Sequence, residues 1–80
     1  MKENNTVALS ELKKGQRGKV VRVVSRGVIR KRIIEMGITS GTEIQVKGFA
    51  PFGDPMALGV MGYSLGLRKS EAADIFVELI

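Results

Sequence analysis

The chain has 80 residues, of which 44% are hydrophobic and 26% are charged, and it carries a net charge of +5. This length supports one small domain with a single modest core. Because the chain contains neither cysteine nor histidine, disulfide frameworks, thiolate or imidazole metal centres, iron–sulfur clusters and the usual hydrolase triads are excluded.

The charge is distributed unevenly along the chain. Nine basic residues and no acidic residue lie between Lys13 and Arg32, whereas the remaining segments hold four basic and eight acidic residues. Such a basic block is typical of proteins that bind nucleic acid, anionic lipid or an acidic protein surface. The same side chains could instead spread around a small barrel as an ordinary solvated surface, and the sequence leaves both interpretations open.

No segment predicts export or membrane insertion. The first residues lack the apolar core of a signal peptide. The longest uncharged stretch, residues 55–67, is interrupted by three glycines and is shorter than the roughly 20 apolar residues that cross a bilayer. We therefore expect a domain that is not itself embedded in a membrane.

The first elements alternate between turns and extended chain. Residues 1–7 are expected to be a frayed N-terminus, and residues 9–12 are expected to form one helical turn capped by Ser10. The β-branched run at residues 19–24 predicts a strand bounded by glycine-containing turns.

A helix is predicted over residues 28–36. Ile29, Ile33 and Met36 recur at helical spacing, so they should form one apolar stripe facing the core. Gly37 follows directly and is well placed as a left-handed C-cap.

Beyond the helix, alternation of polar and apolar residues over 42–47 predicts a half-buried strand. Gly53, Asp54 and Pro55 predict a rigid turn, and Ser70 is expected to cap a short helical turn. Three further strands are predicted at residues 56–61, 63–68 and 75–79. The pattern favours an all-β fold: a small barrel of about five strands with one short α-helix and one or two helical turns, in a single domain spanning residues 1–80.

Candidates for chemistry are few. The sequence contains no phosphate-binding loop and no evident acid–base pair, so we expect no catalytic residue, no bound cofactor and no specific metal site. Weak binding of a divalent cation at surface carboxylates stays open. Glu71 and Asp74, three residues apart on the short helical turn, are the candidate pair for such binding.

Nucleic-acid binding is a second candidate function, since small basic barrels often contact phosphates. Single-strand binders also stack bases on aromatic side chains. The aromatic residues here are only Phe49, Phe52, Tyr63 and Phe76. Phe76 is expected in the core, which leaves a small stacking surface.

Four segments, in this order, resemble the ferrous iron transport protein A (FeoA) family. They are LSELKKGQRGKVV at residues 9–21, RKRIIEMGITSG at 30–41, APFGDP at 50–55 and LGLRKSEAADIFV at 65–77. The resemblance covers about residues 8–77. The departures are small: Lys14 and Ser40 stand where proline is frequent in the family, and Gly66 stands where alanine is frequent.

The resemblance implies an SH3-like barrel that acts as a non-enzymatic accessory protein of bacterial ferrous iron uptake. Its implied partner is the cytosolic portion of the membrane ferrous iron transporter FeoB. It implies a cytoplasmic location with recruitment to the inner face of the plasma membrane, and weak homo-oligomers are compatible with it. No nucleic acid is then expected as a partner, and a basic barrel that binds RNA or the ribosome is the alternative.

The candidate partner-binding residues are Arg30, Lys31, Ile33 and Ile34. On the predicted helix, Ile34 points about 100° away from Ile33 and has Arg30 and Lys31 as neighbours. An aliphatic side chain among cations on a solvated face is a candidate contact patch. Ile33 is expected to contribute from the edge of the apolar stripe.

Overall fold

The computed structural model describes residues 6–80, which form one antiparallel sheet of six strands with the spatial order β1-β6-β2-β3-β4-β5. A 3-10 turn (Leu9–Glu11) and two helices, α1 (Gly27–Glu35) and α2 (Lys69–Ala72), connect the strands. The strands are β1 (Thr6–Ala8), β2 (Arg17–Val23), β3 (Glu43–Phe49), β4 (Met56–Val60), β5 (Tyr63–Leu67) and β6 (Ile75–Leu79).

The sheet curls around a single core. Inward-facing side chains of β2 to β6 belong to one cluster of buried residues, together with residues of the 3-10 turn and both helices. One face of a flat sheet could not enclose such a cluster, so the strands must bend around it. Two β-bulges supply part of the bend, one in β2 between Val20 and Arg22 and one in β3 between Val46 and Gly48.

The predicted all-β fold is confirmed, with one strand more than expected. The frayed N-terminus predicted for residues 1–7 is wrong for Thr6 and Val7, which pair with Glu78 and Val77 of β6. Val7 also packs on the core, so this short strand is held by both hydrogen bonds and burial. Residues 1–5 of that prediction lie outside the described residues.

Helix α1 ends as its sequence predicts. Gly37 has a φ of 94°, and its N–H donates to the carbonyl of Ile34 at 2.9 Å. The N–H of Ile38 donates to the carbonyl of Ile33 at 3.2 Å, which completes a Schellman motif. Ile33 and Ile38 are both fully buried, so this end of the helix is fixed to the core.

The apolar stripe predicted for α1 is only partly correct. Ile33 is the one buried residue of the helix, whereas Met36 is half-buried and Ile29 is 46% exposed. Only the last turn of α1 rests on the barrel, because the Schellman motif fixes that end, and the first turn extends away from the core.

The predicted serine caps are also wrong. The 3-10 turn has Ala8 at its N-cap and α2 has Arg68. At α2 Glu71 accepts from the N–H of Arg68 at 3.2 Å, and a second bond comes from another part of the chain, since the N–H of Lys69 donates to the Asp54 carboxylate at 2.8 Å. The Gly53-Asp54-Pro55 turn therefore supports α2.

We predict that Gly18→Ala destabilises the fold. A Cβ at Gly18 would lie 2.6 Å from Cγ2 of Val77, where β2 packs against β6. Such overpacking should lower the free energy of unfolding by about 1–3 kcal/mol, measured by urea denaturation. Gly66→Ala is the matched control, because its nearest neighbour would be 3.8 Å away, and it should leave stability unchanged or raise it. A Gly18→Ala variant as stable as the parent would contradict this packing.

A candidate partner-binding groove beside helix α1

Three contacts position α1 on the barrel. Ile33 enters the core. On one flank the Arg32 guanidinium forms an ion pair with the Glu71 carboxylate of α2. On the other flank the Arg30 guanidinium donates a hydrogen bond to the carbonyl of Val23 in β2. The helix is thus tied to one neighbouring element on each side, and these ties decide which of its side chains face solvent.

A groove lies between α1 and β2 and continues over the helix. The part between the two elements has a volume of about 280 Å³, and the adjoining hollow along the helix has a volume of about 450 Å³. Arg30 and Ile34 line both parts, so they join them into one surface, which we call the α1 groove. The other lining residues are Val21, Arg22, Val23, Ile38, Thr39 and Ser40 between the elements, and Gly27, Lys31 and Glu35 along the helix.

The structure brings three of the four candidate partner-binding residues together. Arg30, Lys31 and Ile34 line the α1 groove, and Ile34 is 39% exposed. The inclusion of Ile33 is wrong, because its side chain is 0% exposed and belongs to the core. Arg30 has a structural role besides, through its hydrogen bond to Val23.

Sequence reasoning missed the side of the groove formed by β2. Val21 and Val23 are half-buried and line it. Their positions depend on the bulge between Val20 and Arg22, which changes the alternation of the strand. The run of valines in the sequence predicts a strand but does not indicate which valines face the core and which face the groove.

The basic block does not form one continuous positive surface. Arg17 lies 4.0 Å from the Glu43 carboxylate, and Lys19 is in register with Glu43 on one side and Glu78 on the other. The Arg22 guanidinium lies over the Phe76 ring at 4.8 Å. Arg30 and Arg32 also have partners, in the carbonyl of Val23 and the carboxylate of Glu71. About half of the nine basic residues in the block therefore have partners within the domain.

The aromatic side chains offer no row of stacking positions within residues 6–80. Phe76 is half-buried beneath Arg22, and the ammonium of Lys69 lies 5.1 Å from the centre of the Phe49 ring. Phe52 and Tyr63 are exposed on separate loop and strand positions.

The two carboxylates considered for cation binding have structural partners. Glu71 pairs with Arg32 through one oxygen and accepts from the N–H of Arg68 at 3.2 Å through the other. Asp74 accepts from the hydroxyl of Ser25 at 3.4 Å. Over the described range 6–80, no group of three or more metal-ligating side chains converges. No helix in this range is long and apolar enough to cross a membrane.

Comparison with known proteins agrees with this architecture. The family model of the FeoA domain matches residues 7–79. The chain is 50% identical over 72 residues to the Fe(2+) transport protein A/Fe(2+) transporter FeoB fusion protein of Porphyromonas gingivalis. That alignment covers 90% of this chain and 8% of the relative, so the chain spans a small part of that protein's length.

The solved structures that share the fold include the following two. The FeoA-like protein from Clostridium acetobutylicum has a TM-score of 0.87 and 47% identity, with 95% of this chain and 88% of that chain covered. FeoA from Stenotrophomonas maltophilia in complex with zinc has a TM-score of 0.73 and 30% identity, with 88% of this chain and 87% of that chain covered. The latter is described as an SH3 domain protein proposed to act as a ferrous iron transport activating factor.

The curled six-stranded sheet therefore defines a small barrel of the SH3-like class. The FeoA domain model matches nearly all of the described residues, which identifies the family more specifically than the fold does. The chain belongs to the FeoA family.

We predict that Glu71→Gln loosens α1. The substitution keeps an acceptor for the N–H of Arg68 but removes the charge that pairs with Arg32, and only 11% of the Glu71 side chain is exposed. The free energy of unfolding should fall by about 1 kcal/mol, and the amides of the last turn of α1 should exchange faster with deuterium. Glu43→Gln is the matched control, because its pair with Arg17 is long and solvent-exposed, and it should change stability by less than about 0.5 kcal/mol. Equal effects of the two substitutions would contradict a structural role for the Arg32–Glu71 pair.

Proposed function

We propose that this chain is a non-enzymatic accessory protein of ferrous iron uptake that acts by contact with the cytosolic portion of FeoB. The observation that carries the proposal is the Porphyromonas gingivalis relative, in which an Fe(2+) transport protein A and an Fe(2+) transporter FeoB form one fused chain. Fusion keeps two partners at high effective concentration and is expected where they act together. The proposed location is the cytoplasm, at the inner face of the plasma membrane.

The α1 groove is the proposed contact surface. It combines exposed aliphatic surface of Ile34 with the cations of Arg30 and Lys31. Among the described residues that line it, Glu35 carries the one carboxylate. A partner segment that carries both apolar and acidic side chains would complement it, the apolar groups packing on Ile34 and the carboxylates facing the cations.

A binding function without catalysis is supported by the chemistry of the side chains. The chain lacks histidine and cysteine, and the Glu71 and Asp74 carboxylates are engaged within the fold. A role in nucleic-acid binding has less support, because the basic block is divided among internal partners and the exposed aromatic rings are dispersed. Weak self-association through exposed hydrophobic side chains stays a prediction.

We predict that Ile34→Asp weakens binding to the purified cytosolic portion of the cognate FeoB by about tenfold or more, because it places a carboxylate on the apolar part of the groove. Ile29→Asp is the matched control: it makes the same change in a residue of similar exposure on the same helix, outside the groove lining. It should alter the dissociation constant by less than about threefold. Calorimetry on preparations with verified thermal melts provides the measurement.

A second variant keeps the proposal testable if Ile34→Asp fails to fold. Lys31→Glu changes an exposed side chain and should also weaken binding and reduce its dependence on salt. Equal effects of Ile34→Asp and Ile29→Asp, or unchanged binding by a folded Lys31→Glu variant, would exclude the α1 groove. Recovery of RNA in place of FeoB when the protein is purified from cells would exclude the proposed function itself.

We predict that the purified protein binds Fe²⁺ no more tightly than about 0.1 mM, because the sequence has no histidine or cysteine and no three carboxylates converge within residues 6–80. Anaerobic calorimetry measures this directly. Stoichiometric binding in the micromolar range would contradict it, and Glu71→Gln would then show whether that carboxylate is a ligand.

A further inference from the structure

The corner where β2 passes into α1 carries aliphatic side chains that the fold leaves uncovered. Val24 is 44% exposed, Val28 is 82% exposed and Ile29 is 46% exposed. The three lie within six consecutive residues, and we call them the apolar corner. Val28 points about 140° away from Ile33 around the helix axis, so its side chain is directed away from the core.

The exposure of the apolar corner is fixed by the structure around it. The N–H of Val24 donates to the carbonyl of Asp74 at 2.8 Å, and the Ser25 side chain is buried with its hydroxyl against the Asp74 carboxylate. Arg30 ties the first half of α1 to Val23. These contacts hold the corner in place, so its aliphatic groups are displayed on a preorganised support.

The surroundings of the apolar corner are positively charged. Arg26 lies between Val24 and Val28, Lys31 follows on the next turn, and no acidic residue occurs from residue 13 to residue 34. Arg26 and Lys31 form no ion pair with residues 6–80. The Asp74 carboxylate, on the residue whose backbone carbonyl accepts from Val24, is half-buried and accepts a hydrogen bond from Ser25. The corner therefore complements a negatively charged partner.

The shape of the corner favours a lipid surface over a protein. Its three aliphatic residues lie outside the lining of the α1 groove. Val28, at 82% exposure, protrudes, so a protein partner would have to supply a matching pocket. A bilayer accommodates protruding aliphatic groups at the level of its headgroups. Cations beside them meet lipid phosphates at the same depth.

We propose that the apolar corner docks on an anionic lipid bilayer, with Val24, Val28 and Ile29 entering the headgroup region and Arg26 and Lys31 contacting lipid phosphates. This contact goes beyond the proposed binding to FeoB and needs no transporter. It would orient the domain on the membrane with α1 beside the lipid surface.

The experiment is co-sedimentation of the purified protein with vesicles of phosphatidylcholine, with and without phosphatidylglycerol. The protein should sediment with the anionic vesicles, less so as salt is raised, and should stay in solution with the neutral ones. Val28→Asp should lower the partition coefficient by about tenfold. The new carboxylate lies in the first turn of α1, where it favours the helix, so the variant should fold.

Met61→Asp is the matched control. Met61 is 69% exposed at the turn between β4 and β5, and its φ of 53° suits aspartate better than methionine. The substitution makes the same change in charge beside Gly37, at the end of α1 opposite the corner, and it should change partition by less than about twofold. Arg26→Gln tests the electrostatic part separately and should reduce partition by about fivefold.

Three outcomes would overturn the proposal. The parent protein could sediment no better with anionic than with neutral vesicles. Val28→Asp and Met61→Asp could reduce partition equally, which would assign the binding to net charge alone. Val28→Asp could leave partition unchanged but weaken binding to the cytosolic portion of FeoB, which would make the corner a protein contact. If the parent protein binds FeoB but does not bind anionic vesicles, the lipid proposal is wrong and the proposed function is unaffected.

Discussion

The burial of Ile33 against Ile38 determines what α1 presents to solvent. The Schellman motif turns the chain at Gly37 so that both isoleucines enter the core. With the last turn fixed, Arg32 is directed to α2 and Arg30 to β2. Ile34 is then left between α1 and β2, and the first turn of the helix is left outside the barrel. The α1 groove and the apolar corner both result from this single attachment.

The basic residues show why a charge block in sequence is weak evidence for a nucleic-acid surface. On β2 the outward-facing Lys19 is opposed by Glu43 and Glu78 of the neighbouring strands, and Arg17 lies 4.0 Å from the Glu43 carboxylate, so the sheet brings together charges that are distant in sequence. Arg22 covers an aromatic ring, and its stem contributes packing as well as charge. Such cations support the barrel. Of the four basic residues of the block that remain, Arg26 and Lys31 lie at α1, and Lys13 and Lys14 lie in the turn before β2.

Much of the fold could be predicted from the sequence, because the strands after β1 and the helix α1 have strong local patterns. The prediction failed where contacts between residues distant in sequence determine the local structure or the burial of a side chain. β1 has only three residues and exists because β6, about 70 residues later, pairs with it. Ile29 and Ile33 have equal apolar character in the sequence, and only the docking angle of α1 makes one exposed and the other buried. The groove could be predicted on the helix side but not on the β2 side, since the bulge at Val21 has no local signal.

The two ends of α1 differ in how well their residues suit a helix. The last turn has a complete glycine cap. The first turn has Arg26 at the N-cap with no side-chain cap bond, a glycine with a φ of 62° and no acidic residue, and two β-branched residues follow in Val28 and Ile29. Each of these choices is unfavourable at a helix N-terminus, where an acceptor side chain and negative charge stabilise the helix. The stability of α1 therefore comes from its last turn. Residues that are locally unfavourable tend to occur where a surface serves binding, which agrees with a first turn that contacts an anionic surface.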